Sequence, residues 1–483
     1  MTAGNRGRRL GRIIVRADDP SLTAYAGLAV SGELARRVRL AELIDAELAV
    51  ERRARPVKVR RRGLSPGELV VSLAECQLVG GSFFDHIEDV RADRAGARLR
   101  AVAGTPSAPA ALQNSKRFRR CHVQRIERAM ARAGERLDRA LGRDPGEPVT
   151  IDLDATQVTV YGACKQGAAR SRHGSMSYAP HVAFWAQRGR ALTSELVGGN
   201  REKLAGGQCA TIATRAIGLL PDGHGPVTMR IDSAYYAVEL LARLRRERAR
   251  FTVSVPRNQA IWKALAQIPE DAWTDALDMP GAQVAQTTYT PAGWRREPLR
   301  LIVRRVPFSA AKIADGNLNA RRRKTIHPDQ LALALDGHVA SVFGHSFILT
   351  DLPADRDAVD VEHFHRHRAQ IEERLKDAKL GQALRHLPSG DQHANRVWLT
   401  CALLALTLTA LCCDLCPAAG ASGKAPDDAP LRRTAHTLRR ILFNIPARII
   451  RTARRTILRL PEGFRHADVF QATLDAVYAL PPP

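Results

Sequence analysis

Three acidic residues, Asp154, Asp232 and Glu372, stand where carboxylates are costly unless they have a task. In Asp152-Leu153-Asp154-Ala155-Thr156 the aspartates alternate with apolar residues, so on a strand both face one side, with Ile151 and Leu153 on the other. Asp232 follows the apolar run Val227–Ile231 directly, and a carboxylate at the end of such a strand marks either a helix cap or a metal site. The third candidate is Glu372, in a stretch with helical spacing. On a straight helix, with His365 at 0°, Arg368 falls at about −60°, Glu372 at about −20° and Lys379 at about −40°. Phe364, Ile371, Leu375 and Ala378 fill the adjoining apolar stripe. One account of that edge is a solvated i,i+4 ion pair between Arg368 and Glu372. The other is a carboxylate for a metal ion, flanked by cations for phosphates.

The elements around these residues suggest how they could meet. Val149–Thr156 reads as a half-buried strand, and Tyr178–Ala186 and Leu192–Val197 as two more, separated by the turn Gln187-Arg188-Gly189. A helix near Cys209–Leu220, a strand at Pro226–Ile231, a helix over Tyr235–Arg248 and a strand at Phe251–Val255 follow. The order β-β-β-α-β-α-β predicts an α/β fold with a five-stranded mixed sheet and flanking helices, the order of the RNase H-like fold. Ahead of it, residues 1–145 read as a helical, basic region with a capping box at Ser65-Pro66-Gly67-Glu68. The first part of the core is predicted over 146–256 and a β-rich insertion over 257–345. The second part of the core, 346–420, carries one long helix from about Asp357 to Gly381. An arginine-rich helical region, 421–483, closes the chain, with Ile450, Ala453 and Ile457 resuming a helical spacing after Pro446.

Charge narrows the partner. The chain has 483 residues, with 74 Lys plus Arg against 49 Asp plus Glu, a net charge of +25. Such an excess suits a polyanion, since each phosphate neutralised releases condensed counterions. The run Arg52–Arg62 holds seven basic residues in eleven, and reads either as a solvated tether or as an arm along a phosphate backbone. A second basic run is Arg321-Arg322-Arg323-Lys324. Trp398–Cys413 is apolar, but it is short, contains threonines and ends at Asp414, so it is expected to be a buried core helix rather than a membrane span. No apolar stretch follows the basic start, so no signal peptide is expected. Cys412, Cys413 and Cys416 are expected to be buried reduced thiols, consistent with a cytoplasmic, nucleoid-associated protein.

The run His365-x2-Arg368-x3-Glu372-x6-Lys379 resembles the Y-(2)-R-(3)-E-(6)-K signature of DDE transposases from bacterial insertion sequences. Asp154-Ala155-Thr156 and Ile231-Asp232-Ser233-Ala234-Tyr235 resemble the blocks around that family's first and second catalytic aspartates. The wider gap before Glu372 resembles members with a β-rich insertion there. One departure is His365, where the signature has tyrosine.

The resemblance implies that Asp154, Asp232 and Glu372 are catalytic and hold two Mg²⁺ ions, with Mn²⁺ able to substitute. His365, Arg368 and Lys379 would contact DNA phosphates. Asp152 is an alternative or supporting ligand. Lys165 and Arg170, in the Gly162–Gly174 loop, either touch DNA or belong to a polar hairpin, and Trp294 either stacks on a flipped base or packs in a core. The implied partners are double-stranded element ends and target DNA, bound by a homodimer, with no membrane and no small-molecule substrate. Two rivals remain: an RNase H-like nuclease without strand transfer, and a non-catalytic DNA-binding remnant.

Overall fold

A computed structural model describes residues 13–60, 62–162, 164–416 and 433–482. After a short strand β1 (Leu22–Thr23), the N-terminal region is helical: α1 (Leu28–Arg37), α2 (Leu40–Ala49), α3 (Pro66–Leu78), α4 (Ile87–Ala92), α5 (Ala108–Ser115) and α6 (Arg120–Ala140). The capping box at the start of α3 forms as its sequence dictates. Ser65 Oγ accepts from the Glu68 N–H at 3.1 Å, and Glu68 Oε2 accepts from the Ser65 N–H at 2.6 Å.

The central α/β part comprises β2 (Val149–Ala155), β3 (Val158–Thr159), β4 (Ala169–Arg170), β5 (Met176–Trp185), β6 (Arg190–Gly198), α7 (Gly206–Ile217), β7 (Val227–Ile231), α8 (Val238–Arg246) and β8 (Arg250–Ser254). Next come α9 (Gln259–Leu265), β9 (Thr274–Asp275), β10 (Gln283–Tyr289), β11 (Leu299–Ser309), three short helices α10 (Ala310–Ala314), α11 (Ala320–Arg323) and α12 (Pro328–Leu335), and β12 (Ser341–Thr350). Helices α13 (Ala358–Arg366), α14 (Ala369–Gly381) and α15 (Gln392–Leu415) follow. The chain then adds α16 (Ala435–Leu438), β13 (Ala447–Arg451), β14 (Thr456–Arg459) and α17 (Ala467–Ala479).

Strand β2 lies antiparallel to β5 and parallel to β7, and β7 parallel to β8, while β6 pairs antiparallel with β5. The sheet does not stop at five strands. Among the described residues it has eleven, because β12 pairs with β8 and carries β11, β10 and β9 beyond it. The strands expected as a separate β-rich insertion therefore continue the main sheet, and helices α9 to α12 occupy much of the same stretch. Apolar runs in β10 and β11, read locally, give no sign of which sheet they join.

Two further expectations fail for physical reasons. The long helix over 357–381 is broken: α13 ends at Arg366, and His367 and Arg368 form a tight turn before α14. In the tail, Ile450 and Ile457 lie on the antiparallel hairpin of β13 and β14, not on a helix. Pro446 ends the preceding turn, β-branched Ile449 and Ile450 suit a strand, and β1 provides β13 with a partner. The expected tail begins in residues 417–432, which lie outside the described residues.

Helix α15 is the one described helix long and apolar enough to cross a membrane, and 94% of its most apolar window is buried within the protein. It shares one core with the N-terminal helices, α14 and the C-terminal elements. Buried polar ties fix this helical layer to the sheet. Glu127 of α6 accepts from Thr193 Oγ1 and the Ser194 N–H of β6, and Arg190 grips Asp138 with two bonds of 2.7 and 2.8 Å. No disulfide joins Cys412, Cys413 or Cys416.

At the centre of the sheet, Asp152 of β2 and Arg230 of β7 are register partners, both 2% exposed. Arg230 Nε donates to Asp152 Oδ1 at 2.7 Å and Nη2 to Oδ2 at 2.8 Å. Removing one partner from such a pair strands the other charge. Asp152→Ala is therefore expected to lose about 3–5 kcal/mol, and Asp152→Leu combined with Arg230→Met to recover most of it. Urea unfolding followed by circular dichroism checks this; a wild-type midpoint for Asp152→Ala would contradict it.

Candidate active site

Asp154 and Asp232 occupy equivalent places. The parallel register pairs Leu153 with Ile231, so the next residue on each strand is an aspartate, side by side at the same edge of the sheet. Each side chain also caps its own backbone. Asp154 Oδ1 accepts from the Ala155 N–H at 2.7 Å, and Asp232 Oδ1 from the Ser233 N–H at 2.6 Å, opening a 3₁₀ turn over Ser233–Tyr235. The cap reading of Asp232 is thus true of one oxygen and leaves the other for different work. Burial pushes the Asp154 carboxyl up to about 6; Arg368 opposes that rise, while the Asp232 and Glu372 charges add to it. Glu372 is therefore electrically part of the same site.

Arg368 lies between the carboxylates. Its Nη1 is 3.5 Å from Asp154 Oδ2 and its Nη2 is 3.7 Å from Glu372 Oε1, with the guanidinium 12% exposed and the Glu372 side chain 55% exposed. Nη1 makes no hydrogen bond. These distances are ion-pair contacts rather than the short bidentate geometry Arg adopts when a carboxylate is its dedicated partner.

The break between α13 and α14 explains where His365 goes. Its phase relative to Glu372 holds only on a straight helix. With the turn at His367–Arg368, His365 is buried, with Nδ1 2.8 Å from Thr252 Oγ1 and Nε2 2.9 Å from Ser254 Oγ. Burial, reinforced by Arg368, Arg230 and Arg304, pushes its imidazole down to about 3. A neutral ring with both nitrogens engaged does not reach DNA, so the expected phosphate contact is corrected to a structural pin between α13 and β8.

Lys379, on the last turn of α14, is half-buried and has no acidic partner among the described residues; desolvation lowers its pKa. Lys165 donates to the carbonyls of Leu387 (2.6 Å) and Ser389 (3.2 Å), so it ties its loop to the segment before α15. Arg170 donates to Gly174 O within its own exposed hairpin. Trp294 is 7% exposed, donates Nε1–H to Glu297 O and lies under Arg245; it packs in the core and offers no face to a base. For Lys165 and Trp294 the plain alternative holds. Asp152 has both carboxylate oxygens on Arg230.

Three groups escaped the sequence reading. Arg230 also donates Nη1–H to Phe364 O at 3.0 Å, which fastens the end of α13 to the strands bearing the aspartates. A charged residue inside the otherwise apolar Val227–Ile231 was the available signal. Tyr235, buried beside Asp154 and Asp232, has its hydroxyl 2.6 Å from His181 Nδ1, and His181 Nε2 is 3.0 Å from Arg201 O. Finally, Arg53 and Arg55 from the first basic run line an open groove with Lys116, Arg117, Arg119 and Arg120. That pairing of distant segments has no local signal.

Asp154, Asp232 and Glu372 offer hard carboxylate oxygens and no sulfur or imidazole, the donor chemistry of Mg²⁺ or Mn²⁺. Among the described residues no three His, Cys, Asp or Glu side chains stand close enough together to hold an ion. The donor set fits a divalent cation; the spacing seen is that of a site with Arg368 between its carboxylates.

The chain matches the family described as transposase DDE domain group 1 over residues 8–311 and 337–482, and it belongs to that family. Members of the family generally use divalent metal ions. A search of curated proteins gave no match. Among solved structures, the chain is similar to piggyBac transposase in a synaptic complex with hairpin DNA, at 9% identity, covering 80% of this chain and 75% of that one with a TM-score of 0.37.

Two outcomes follow from the charges. Asp154 has a folded pKa above its unfolded one, so it stabilises the fold at acid pH and loses that contribution as pH rises through about 6. Asp154→Asn is expected to raise the melting temperature by about 1–3 °C at pH 7.5 and to lose that gain below pH ~4. For His365 the folded pKa lies below the unfolded one, so stability falls as pH drops from the ordinary histidine range towards 3. His365→Gln should flatten that fall between pH 7 and 5 in calorimetry; an unchanged pH dependence would contradict the buried neutral ring.

Proposed function

We propose that this chain is a DNA transposase that binds the ends of its own mobile element, cuts them by hydrolysis and joins the 3′-OH ends to a target. In this reading β6, β5, β2, β7 and β8 form an RNase H-like core, with Asp154, Asp232 and Glu372 as its acidic set. The observation that carries the reading is the side-by-side placement of Asp154 and Asp232 at the C-terminal ends of two parallel strands, with Glu372 and Arg368 of the neighbouring helical segment brought to the same place.

The three carboxylates would hold two Mg²⁺ ions, with Mn²⁺ as a substitute. When bound, such ions activate the attacking oxygen and stabilise the charge on the leaving oxygen of an in-line displacement at phosphorus. The protein's own groups do the rest. Released from Asp154 and Glu372, Arg368 has its planar fork free for the oxygens of a phosphate. Lys379 offers a point charge whose desolvation a phosphate would compensate. Tyr235 stands buried near the aspartates with its hydroxyl tied to His181, and Arg230 holds the end of α13 so that α14 presents Glu372. The groove of Arg53, Arg55 and Lys116–Arg120 would follow a DNA backbone away from the site. Pairing two element ends calls for two copies of the chain.

Glu372→Gln is expected to abolish Mg²⁺-dependent cleavage of element-end DNA, a loss of at least about 10³-fold, while end binding stays within about twofold. Gel shift and cleavage assays on the same preparation check this; joint loss of binding and cleavage would count against the assignment. Incubating pre-cleaved ends with supercoiled plasmid tests the joining step. Joined products are expected, and cleavage without them would favour a nuclease lacking strand transfer.

A further inference from the structure

The family match stops at residue 311 and resumes at 337, and the residues it leaves out form a distinct object. Helices α10, α11 and α12 sit at the tip of the β11–β12 pair and have a small core of their own, Ala310, Ile313, Ile326, Ala334 and Val342, separate from the two main cores. This module is firmly docked. His345 N–H donates to Thr325 O at 2.8 Å, and Ile326 bridges to Gly344. Gly344 has no room for a side chain, since a Cβ there would lie 2.3 Å from the Phe308 ring and 2.4 Å from Thr325 Oγ1.

Sheet register tells where the module lies. Strand β12 runs antiparallel to β8 with Ile348 opposite Ser254, so its earlier residues project beyond the end of β8. Because β8, β7 and β2 are parallel, that is the edge at which Asp154 and Asp232 sit. Gly344 is four residues further along β12 than Ile348, about 13 Å at strand rise, and β12 is two strand spacings, about 10 Å, from β7. The docked segment is therefore roughly 16 Å from Asp232, near enough for both to touch neighbouring phosphates of one bound duplex. The segment immediately before Thr325 is Arg321-Arg322-Arg323-Lys324. Arg321, Arg322 and Lys324 are exposed, and none of the four has an ion-pair partner among the described residues. The module's acids, Asp315, Asp329 and Asp336, lie outside this run.

We propose that residues 310–340 form a clamp, outside the common family domain, that grips the DNA backbone within a few nucleotides of the phosphate reacting at Asp154, Asp232 and Glu372. The placement rests on the reading of those carboxylates as the cutting site; the DNA contact itself does not. A run of exposed cations without acidic partners suits the phosphate backbone, whose charge is the same at every sequence.

The test uses the full chain and a 40-base-pair duplex of arbitrary sequence, with affinity measured by fluorescence anisotropy across a salt series. Replacing Arg321, Arg322 and Lys324 together by alanine should lower the slope of log affinity against log salt by about two to three, and replacing Arg321 and Arg322 by lysine, with Lys324 left in place, should keep the wild-type slope. The changed side chains lie outside the module's core, so the melting temperature should be unchanged. An unaltered slope in the alanine variant overturns the proposal and leaves an acidic protein surface as the partner to seek. Cleavage is scored separately: a reduced slope in a protein that never cuts DNA refutes the cutting site and retains the clamp, whereas cutting with unaltered slopes refutes the clamp alone.

Discussion

Two neighbouring parallel strands that each carry an aspartate at their C-terminal end create a problem that the surrounding protein has to solve. Asp154 and Asp232 lie at the same level on strands one sheet spacing apart, partly shielded from water, and Glu372 adds a third negative charge. Like charges this close in a medium less polar than water raise the cost of ionising all of them. A cation must be supplied, and Arg368 supplies it by facing Asp154 and Glu372 together at distances too long for tight bonding to either. Such a loosely held internal cation leaves the carboxylates available to a better one.

The remainder of the structure keeps those charges in register. The Asp152–Arg230 pair lies two residues back from the aspartates along the same two strands, and its remaining donor holds Phe364 O. One guanidinium thus links β2, β7 and α13. His365, pinned to Thr252 and Ser254, fixes the same helix to β8, and the turn that follows redirects α14 so that Glu372 remains at the rim. Behind this, α15 gives the helical layers a common core, and Glu127 and Arg190 fasten that core to β6. Buried polar groups concentrate where layers must not slide, which is where carboxylate geometry would suffer first.

Much of this was legible in the chain because it was local. The alternation of Asp152 and Asp154, the aspartate after Val227–Ile231, the capping box at Ser65 and the buried nature of Trp398–Cys413 each follow from neighbours within a turn or a strand. What misled was any inference carried across a break. The helical phase of His365 relative to Glu372 requires eight residues of unbroken helix, and the helical spacing of the tail competes with a hairpin that fits Ile449–Ile457 once β1 is present. Lys165 and Trp294 looked available because sequence does not reveal the Leu387 and Glu297 carbonyls that occupy them. The charge of Arg230 inside an apolar strand is the one local sign of the buried pair with Asp152.

The central claim is that the cation now provided by Arg368 gives way to divalent ions held by Asp154, Asp232 and Glu372. The most direct measurement is anomalous diffraction from crystals of the full chain grown with a duplex and Mn²⁺. The account predicts density about 2.0–2.3 Å from oxygens of all three residues, with the Arg368 guanidinium withdrawn towards a DNA phosphate. Manganese bound elsewhere, with Arg368 still lying between Asp154 and Glu372 in the DNA complex, would contradict it.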